Sequence, residues 1–115
     1  NSVHKLQWEH MNICFEILQE AEHKKDIEKS APFFNTARDT LDMALHSCQF
    51  WWANKDRMWS EDLINKGLIL QEEAILNAYL AIANSGCKES EKKRCCKKVI
   101  AARCISGKIR DRILQ

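Results

Sequence analysis

Residues 30–52 read SAPFFNTARDTLDMALHSCQFWW, and this stretch decides the fold class. Ser30 shortly before Pro32 is a helix-start signal, because proline loses nothing in the first turn of a helix. The apolar positions that follow recur at alternating steps of three and four residues, the period of an amphipathic α-helix. They are Phe34, Ala37, Leu41, Ala44, Leu45, Cys48, Trp51 and Trp52. The pattern predicts a helix that ends near Asn54.

The same period recurs in three other segments of the chain. It predicts helices from about Val3 to Lys24, from Ser60 to about residue 83, and from about Glu89 onward. The third helix is followed by Asn84-Ser85-Gly86, where glycine suits the left-handed conformation that commonly ends a helix. Gly107 is expected to break or kink the fourth helix.

Composition favours a few long elements joined by short connections. The chain has 115 residues, one proline and three glycines, so few turns can be built from it. Its length fits one domain, and the apolar fraction of 45 % suffices for one packed core. We predict an all-α, up-down-up-down antiparallel four-helix bundle that spans residues 1–115. Because the chain opens directly in helix-like sequence, we expect it to be a piece of a larger polypeptide.

The inner stripe of the first helix contains polar as well as apolar residues. His10 and Cys14 lie on it, and Met11, Phe15 and Leu18 are expected to widen it on one side. A histidine on an apolar stripe is more often a hydrogen-bonded core residue than a ligand. We therefore predict His10 to be structural.

Charge is divided unevenly between the body and the last helix. Residues 1–87 hold 8 Lys/Arg and 13 Asp/Glu, whereas residues 88–115 hold 10 Lys/Arg and 3 Asp/Glu. A basic helix could bind nucleic acid through phosphates. The cations are not interleaved with aromatic residues, however, and the acidic helices offer partners within the chain. Intramolecular ion pairing is the favoured interpretation, and nucleic-acid binding is kept as an alternative.

The aromatic residues supply the candidate binding site. Phe50 lies about 160° from the core direction of the second helix and shares its back face with Met43. In an antiparallel bundle the end of helix two lies beside the starts of helices one and three. Four tryptophans and one arginine are therefore expected at that end of the bundle, a composition favoured at protein interfaces. They are Trp8, Trp51, Trp52, Trp59 and Arg57.

The six cysteines are interpreted as reduced thiols of a cytoplasmic protein. A disulfide framework is the alternative, but such folds are usually loop-rich. Cys14 and Cys48 lie on apolar stripes, where a thiol acts as a small hydrophobe. Cys95 lies among lysines and arginines, which predicts a lowered thiol pKa, although no histidine marks it as a nucleophile.

Metal and membrane functions find little support in the sequence. A di-metal carboxylate bundle needs two Glu-x-x-His motifs, and the chain has one, Glu20 to His23, on a polar face. Zinc sites use closely spaced cysteine pairs of a kind that is not found here. Apolar runs fall well short of the roughly 18 residues that span a bilayer. No metal, cofactor or membrane contact is predicted.

Residues 37–41 and 44–53 carry a family resemblance. Ala37-Arg38-Asp39-Thr40-Leu41 and ALHSCQFWWA resemble a helical stretch after the catalytic barrel of family-57-type glycoside hydrolases and related polysaccharide-processing proteins. The barrel and its catalytic carboxylates are not in this chain, and the likeness covers about 20 residues. The resemblance implies a helical accessory domain beside a glycan-active domain.

Together these patterns predict a non-catalytic helical interaction or accessory module. The partner is expected to be another protein domain or a second copy of the chain, and a glycan stacked on the aromatic rings is the next candidate. A helical part of a carbohydrate-processing hydrolase is the alternative from a different functional class.

Overall fold

A computed structural model of the chain describes residues 2–25, 27–53 and 61–114, and the side chains of 3–25, 27–45 and 64–112. The described residues form four helices, α1 (Ser2–Glu22), α2 (Ala31–Ala53), α3 (Glu61–Ala83) and α4 (Glu89–Leu114), and contain no strand. The predicted all-α four-helix bundle is confirmed.

Polar contacts between helices establish how α4 runs against its neighbours. Lys24 just after α1 pairs with Glu91 at the start of α4 (Nζ–Oε2, 3.1 Å), and Glu20 one turn earlier pairs with Lys98 further along. Residue numbers fall on α1 as they rise on α4, so the two helices are antiparallel. On α3, Glu72 accepts from Ser106 and Asn65 accepts from Arg110, so residue numbers fall on α3 as they rise on α4 and these two helices are antiparallel as well.

The four helices do not pack equally on one another. α2 packs chiefly on α3, whereas α1 packs on both α4 and α3. Among the helix pairs that touch, α1 and α2 contact each other least, although they are consecutive in the chain. One side of α1 is therefore far less covered than the other.

The core lies where α1, α3 and α4 meet and extends onto the inner side of α2. Ile17, Leu68 and Ile82 are fully buried, as is Ile109 near the end of α4. On α2 the predicted stripe is buried from Phe34 to Ala44, which confirms its phase: Phe34, Ala37, Leu41 and Ala44. Each large side chain buried in this way contributes about 1.5–3 kcal/mol of transfer free energy.

The helix start predicted at Ser30 is confirmed, with one difference in how Ser30 acts, whereas α1 ends at Glu22, two residues before the predicted Lys24. Ser30 directly precedes the helix and is buried, and its carbonyl accepts from the Phe34 amide. Its hydroxyl does not cap an amide of the first turn. The Ser30 Oγ donates instead to the carbonyls of Lys24 and Ile27, so it fastens the connection onto the helix start.

The predictions made for Gly86 and Gly107 have opposite outcomes. Gly86 has φ +75° just after α3, so the predicted left-handed helix end is confirmed. Gly107 lies inside α4, which continues to Leu114, so the prediction of a break there is wrong. A glycine costs a helix about 1 kcal/mol relative to alanine. Buried Ile109 and half-buried Ile105 on either side hold the helix against the core and outweigh that cost.

No helix within the described ranges has the long, uncharged apolar stretch needed to cross a bilayer.

Candidate interaction surface

The flank of α1 that faces α4 is built from ion pairs. Lys98 Nζ lies 2.9 Å from Oε1 of Glu20 and 3.7 Å from Oε2 of Glu16. Arg94 approaches the same Glu20 oxygen at 3.9 Å. These groups are between a quarter and two thirds exposed, so each pair contributes modestly. We call Glu16 and Glu20, with Lys24 just after the helix, the ionic flank of α1. Glu20 is thus held by two cations of α4.

A second ionic contact joins α3 to α4. The Arg110 guanidinium donates from Nη2 to Glu72 Oε1 at 2.8 Å and from Nη1 to Oε2 at 3.2 Å. Ser106 donates to the same carboxylate, and Asn65 accepts from Arg110 Nε. Burial acts to raise the pKa of Glu72, but the hydrogen bonds and charge of Arg110 outweigh it and lower the pKa overall. The hydrogen bond to Glu72 raises the pKa of Arg110.

These contacts confirm intramolecular ion pairing for part of the basic fourth helix. The acidic partners come from α1 and α3, as predicted. The cations that pair with those helices lie along the two sides of α4 that face them, namely Arg94, Lys98 and Arg110.

Between its flanks, α1 buries a polar cluster against α3. His10 is fully buried, and its Nδ1 lies 2.6 Å from Oε1 of the equally buried Gln71. An amide oxygen can only accept, so His10 Nδ1 carries the proton and Nε2 presents a lone pair. That Nε2 has no protein partner, and neither do the amide nitrogens of Gln7 and Gln71. The prediction that His10 is a hydrogen-bonded core residue is confirmed.

Burial controls the protonation of His10. Desolvation lowers the pKa of the imidazole from its ordinary 6.5, and it outweighs the hydrogen bond that His10 donates to Gln71 and the charge of Glu72, which act to raise the pKa. The nearby charge of Arg110 also lowers it. His10 is therefore neutral at physiological pH.

The buried thiols behave as apolar core atoms. Burial raises the pKa of Cys14 to about 12. It also raises the pKa of Cys95 to about 12, with the Glu20 charge adding to the effect and Lys98 opposing it. The predicted lowering for Cys95 is wrong, because its side chain points into the core and not toward the lysines beside it in sequence. The described cysteines, 14, 87, 95, 96 and 104, are free thiols.

The other flank of α1 carries exposed aromatic rings. Trp8 and Phe15 lie seven residues apart, about 20° from each other around the helix, and are 49 % and 41 % exposed. They lie about 120° and 140° from Glu20, on the side away from α4. We call this pair the aromatic face. The expectation that Phe15 widens the buried stripe is wrong, since Met11 and Leu18 close the core on that side and Phe15 lies beyond them.

On α2, one member of the predicted back face can be placed. Met43 is 58 % exposed and points away from the buried stripe, as predicted. Leu45, assigned to the inner stripe from sequence, is 40 % exposed. It lies at the edge of that stripe, about 40° beyond Leu41 around the helix.

Most of the sequence-predicted site falls outside the described side chains. Phe50, Trp51 and Trp52 lie on the described backbone of α2, but their side chains are not described, and the same holds for Cys48. Arg57 and Trp59 lie outside the described residues. The structure thus places Trp8 and Met43 at the surface and leaves the gathering of four tryptophans as a prediction.

Further exposed apolar residues lie on α3 and α4. Ile69 and Leu76 share one side of α3, and Ile100 lies on α4. None is aromatic, and single exposed aliphatic side chains are ordinary on protein surfaces. The aromatic face is the less ordinary feature. The described residues contain no cluster of three or more His, Cys, Asp or Glu side chains that could hold a metal ion.

Comparison of the chain with protein-family models, with curated proteins and with solved structures finds no match.

Proposed function

We propose that this chain is a non-catalytic helical interaction module that contacts a partner domain or a second copy of itself through exposed aromatic and thioether side chains. The aromatic face of α1 carries the proposal. Two large rings, Trp8 and Phe15, lie on one side of one helix and are each more than 40 % exposed. Aromatic residues and methionine are the types most enriched at protein interfaces.

The chemistry of the described interior agrees with a role that involves no catalysis. The two thiols with shifted pKa values are protonated at neutral pH, and the neutral His10 is enclosed between α1 and α3. The ionic contacts of Glu20 and Glu72 are satisfied by cations within the chain. The aromatic face therefore offers another molecule apolar contact area and no reactive group.

Self-association can be tested with the chain alone. Sedimentation equilibrium under reducing conditions would compare wild type with a Trp8→Ser/Phe15→Ser double variant up to the highest soluble concentration. An Ile69→Ser/Leu76→Ser variant is the matched control, because it removes exposed apolar area from α3 instead. We expect a concentration-dependent dimer for wild type and the control, and a monomer for the aromatic-face variant.

Two results would contradict the self-association form of the proposal. One is a wild-type chain that stays monomeric throughout the concentration range. The other is an equal loss of dimer in both double variants. Phe50→Ala belongs in the same series, since Phe50 follows Met43 by seven residues and is predicted to share the back face.

A further inference from the structure

Seven of the nine cations of α4 fall into two groups with different surroundings. Arg94, Lys98 and Arg110 pair with carboxylates of α1 and α3. A second group is exposed, and no described carboxylate lies within ion-pair distance of its members: Lys93, Lys97, Lys108 and Arg112. The four cations of the second group thus make no ion pair within the described structure.

Helical spacing places the second group on one line. Positions 93, 97, 101, 104, 108 and 112 follow one another at steps of four and three residues, so they share the outer face of α4. The line is about 28 Å long at 1.5 Å per residue. We call it the basic strip. It begins with two lysines and ends with a lysine and an arginine.

The middle of the basic strip is apolar or weakly polar. Between Lys97 and Lys108, a distance of about 16 Å along the helix, it presents Ala101 and Cys104, with Ile100 beside them at 55 % exposure. Arg103 does not fill this gap, since it lies about 100° away from Cys104 toward α3. The strip has charged ends and an uncharged centre.

This arrangement fits an acidic protein helix better than it fits a nucleic acid. A protein interface typically has an apolar centre and a charged rim. A phosphate backbone would favour cations throughout, and aromatic side chains that could stack on bases are missing from the strip. A lipid surface would need a broad apolar face on α4, but its apolar stripe is buried in the bundle at Cys95, Ala102 and Ile109.

We propose that the basic strip of α4 binds an amphipathic helix of a partner protein, with carboxylates at both ends of that helix and small apolar residues at its centre. The carboxylates of the partner helix pair with Lys93 and Lys97 at one end of the basic strip and with Lys108 and Arg112 at the other end. The partner's apolar centre covers Ile100. This surface lies on a different helix from the aromatic face and does not depend on it.

The test selects binders from a displayed library of helical peptides whose central positions and terminal charges are both randomised. A Lys97→Glu/Lys108→Glu variant tests the charged ends of the basic strip. A Lys5→Glu/Lys66→Glu variant is the matched control, because both residues are exposed, lie off α4 and give the same change in net charge. Ile100→Ser tests the apolar centre, and a duplex DNA of 20 base pairs is titrated in parallel.

The proposal predicts selected peptides with acidic ends and apolar centres. Their affinity should fall about tenfold or more in Lys97→Glu/Lys108→Glu and about threefold or more in Ile100→Ser, and change little in the control. It would be overturned by a library that yields no binder, or by binders equally weakened in both charge variants. DNA binding with a steep salt dependence and no response to Ile100→Ser would overturn it in favour of a polyanion site.

Discussion

The two flanks of α1 differ in how their side chains are satisfied. On the ionic flank, the carboxylates of Glu16 and Glu20 meet the ammonium of Lys98. On the opposite flank, Trp8 and Phe15 remain nearly half exposed. The first flank is covered by α4, whereas the second lies on the side of α1 away from α4. One helix thus holds the bundle together with one side and offers apolar surface with the other.

Breaking the buried stripe that separates the flanks should have the largest effect. His10→Leu leaves the Gln71 amide buried without its partner, which should cost about 1–3 kcal/mol of unfolding free energy. The double variant His10→Leu/Gln71→Leu removes both polar groups and should recover most of that loss. Urea unfolding followed by circular dichroism at pH 7.5 measures both. Equal losses in the single and double variants would contradict this account.

Acid should weaken the same stripe through His10. Its folded-state pKa lies below the ordinary 6.5, so the unfolded chain binds the proton more readily. The contribution of neutral His10 to the unfolding free energy is then fully present above about pH 6.5. It falls as the pH drops toward the lowered pKa of the folded state, by at most about 1.4 kcal/mol per pH unit. The loss should vanish in His10→Leu/Gln71→Leu. Persistence of the same slope in that variant would assign it to another group.

Truncating the aromatic face should affect association more than stability. The two rings that Trp8→Ser/Phe15→Ser removes are each about half buried in the wild type. We therefore expect a loss of about 1 kcal/mol per ring in unfolding free energy and an unchanged helical content. The Ile69→Ser/Leu76→Ser control should lose a similar amount or less and keep its self-association. Loss of helix in the aromatic-face variant would mean that the rings stabilise the fold and not an interface.

The ion pairs should have the smallest effects and can be ranked against each other. Lys98→Met should cost about 0.2–1 kcal/mol, and the cost should shrink at high salt. Arg110→Met should cost more, because it removes a bidentate contact to Glu72, whose pKa is already lowered by that arginine. Unfolding at low and high salt checks both. A reversed order would show that bidentate geometry does not matter here.

The helices were predictable because their signals are local. The apolar spacing in α2, the start at Ser30 and the left-handed Gly86 each depend on residues close together in sequence. Gly107 was misjudged, since its local propensity is overridden by burial of Ile109 against the rest of the bundle.

The candidate surface was less predictable because it depends on which helices are neighbours. Phe15 lies next to the buried stripe on a helical wheel, and whether such an edge position is covered depends on where the other helices lie. Cys95 was misjudged for a similar reason. Its sequence neighbours are cations, but helix rotation turns its thiol inward, where burial raises the pKa.

The difference between the two flanks can be measured most directly by two-dimensional ¹H–¹⁵N NMR of wild type over a wide range of concentration. We expect concentration-dependent shifts at the Trp8 indole and at amides around Phe15, with little change at Glu16, Glu20 and Lys98. Shifts centred on the ionic flank, or none at any concentration, would contradict a self-associating aromatic face.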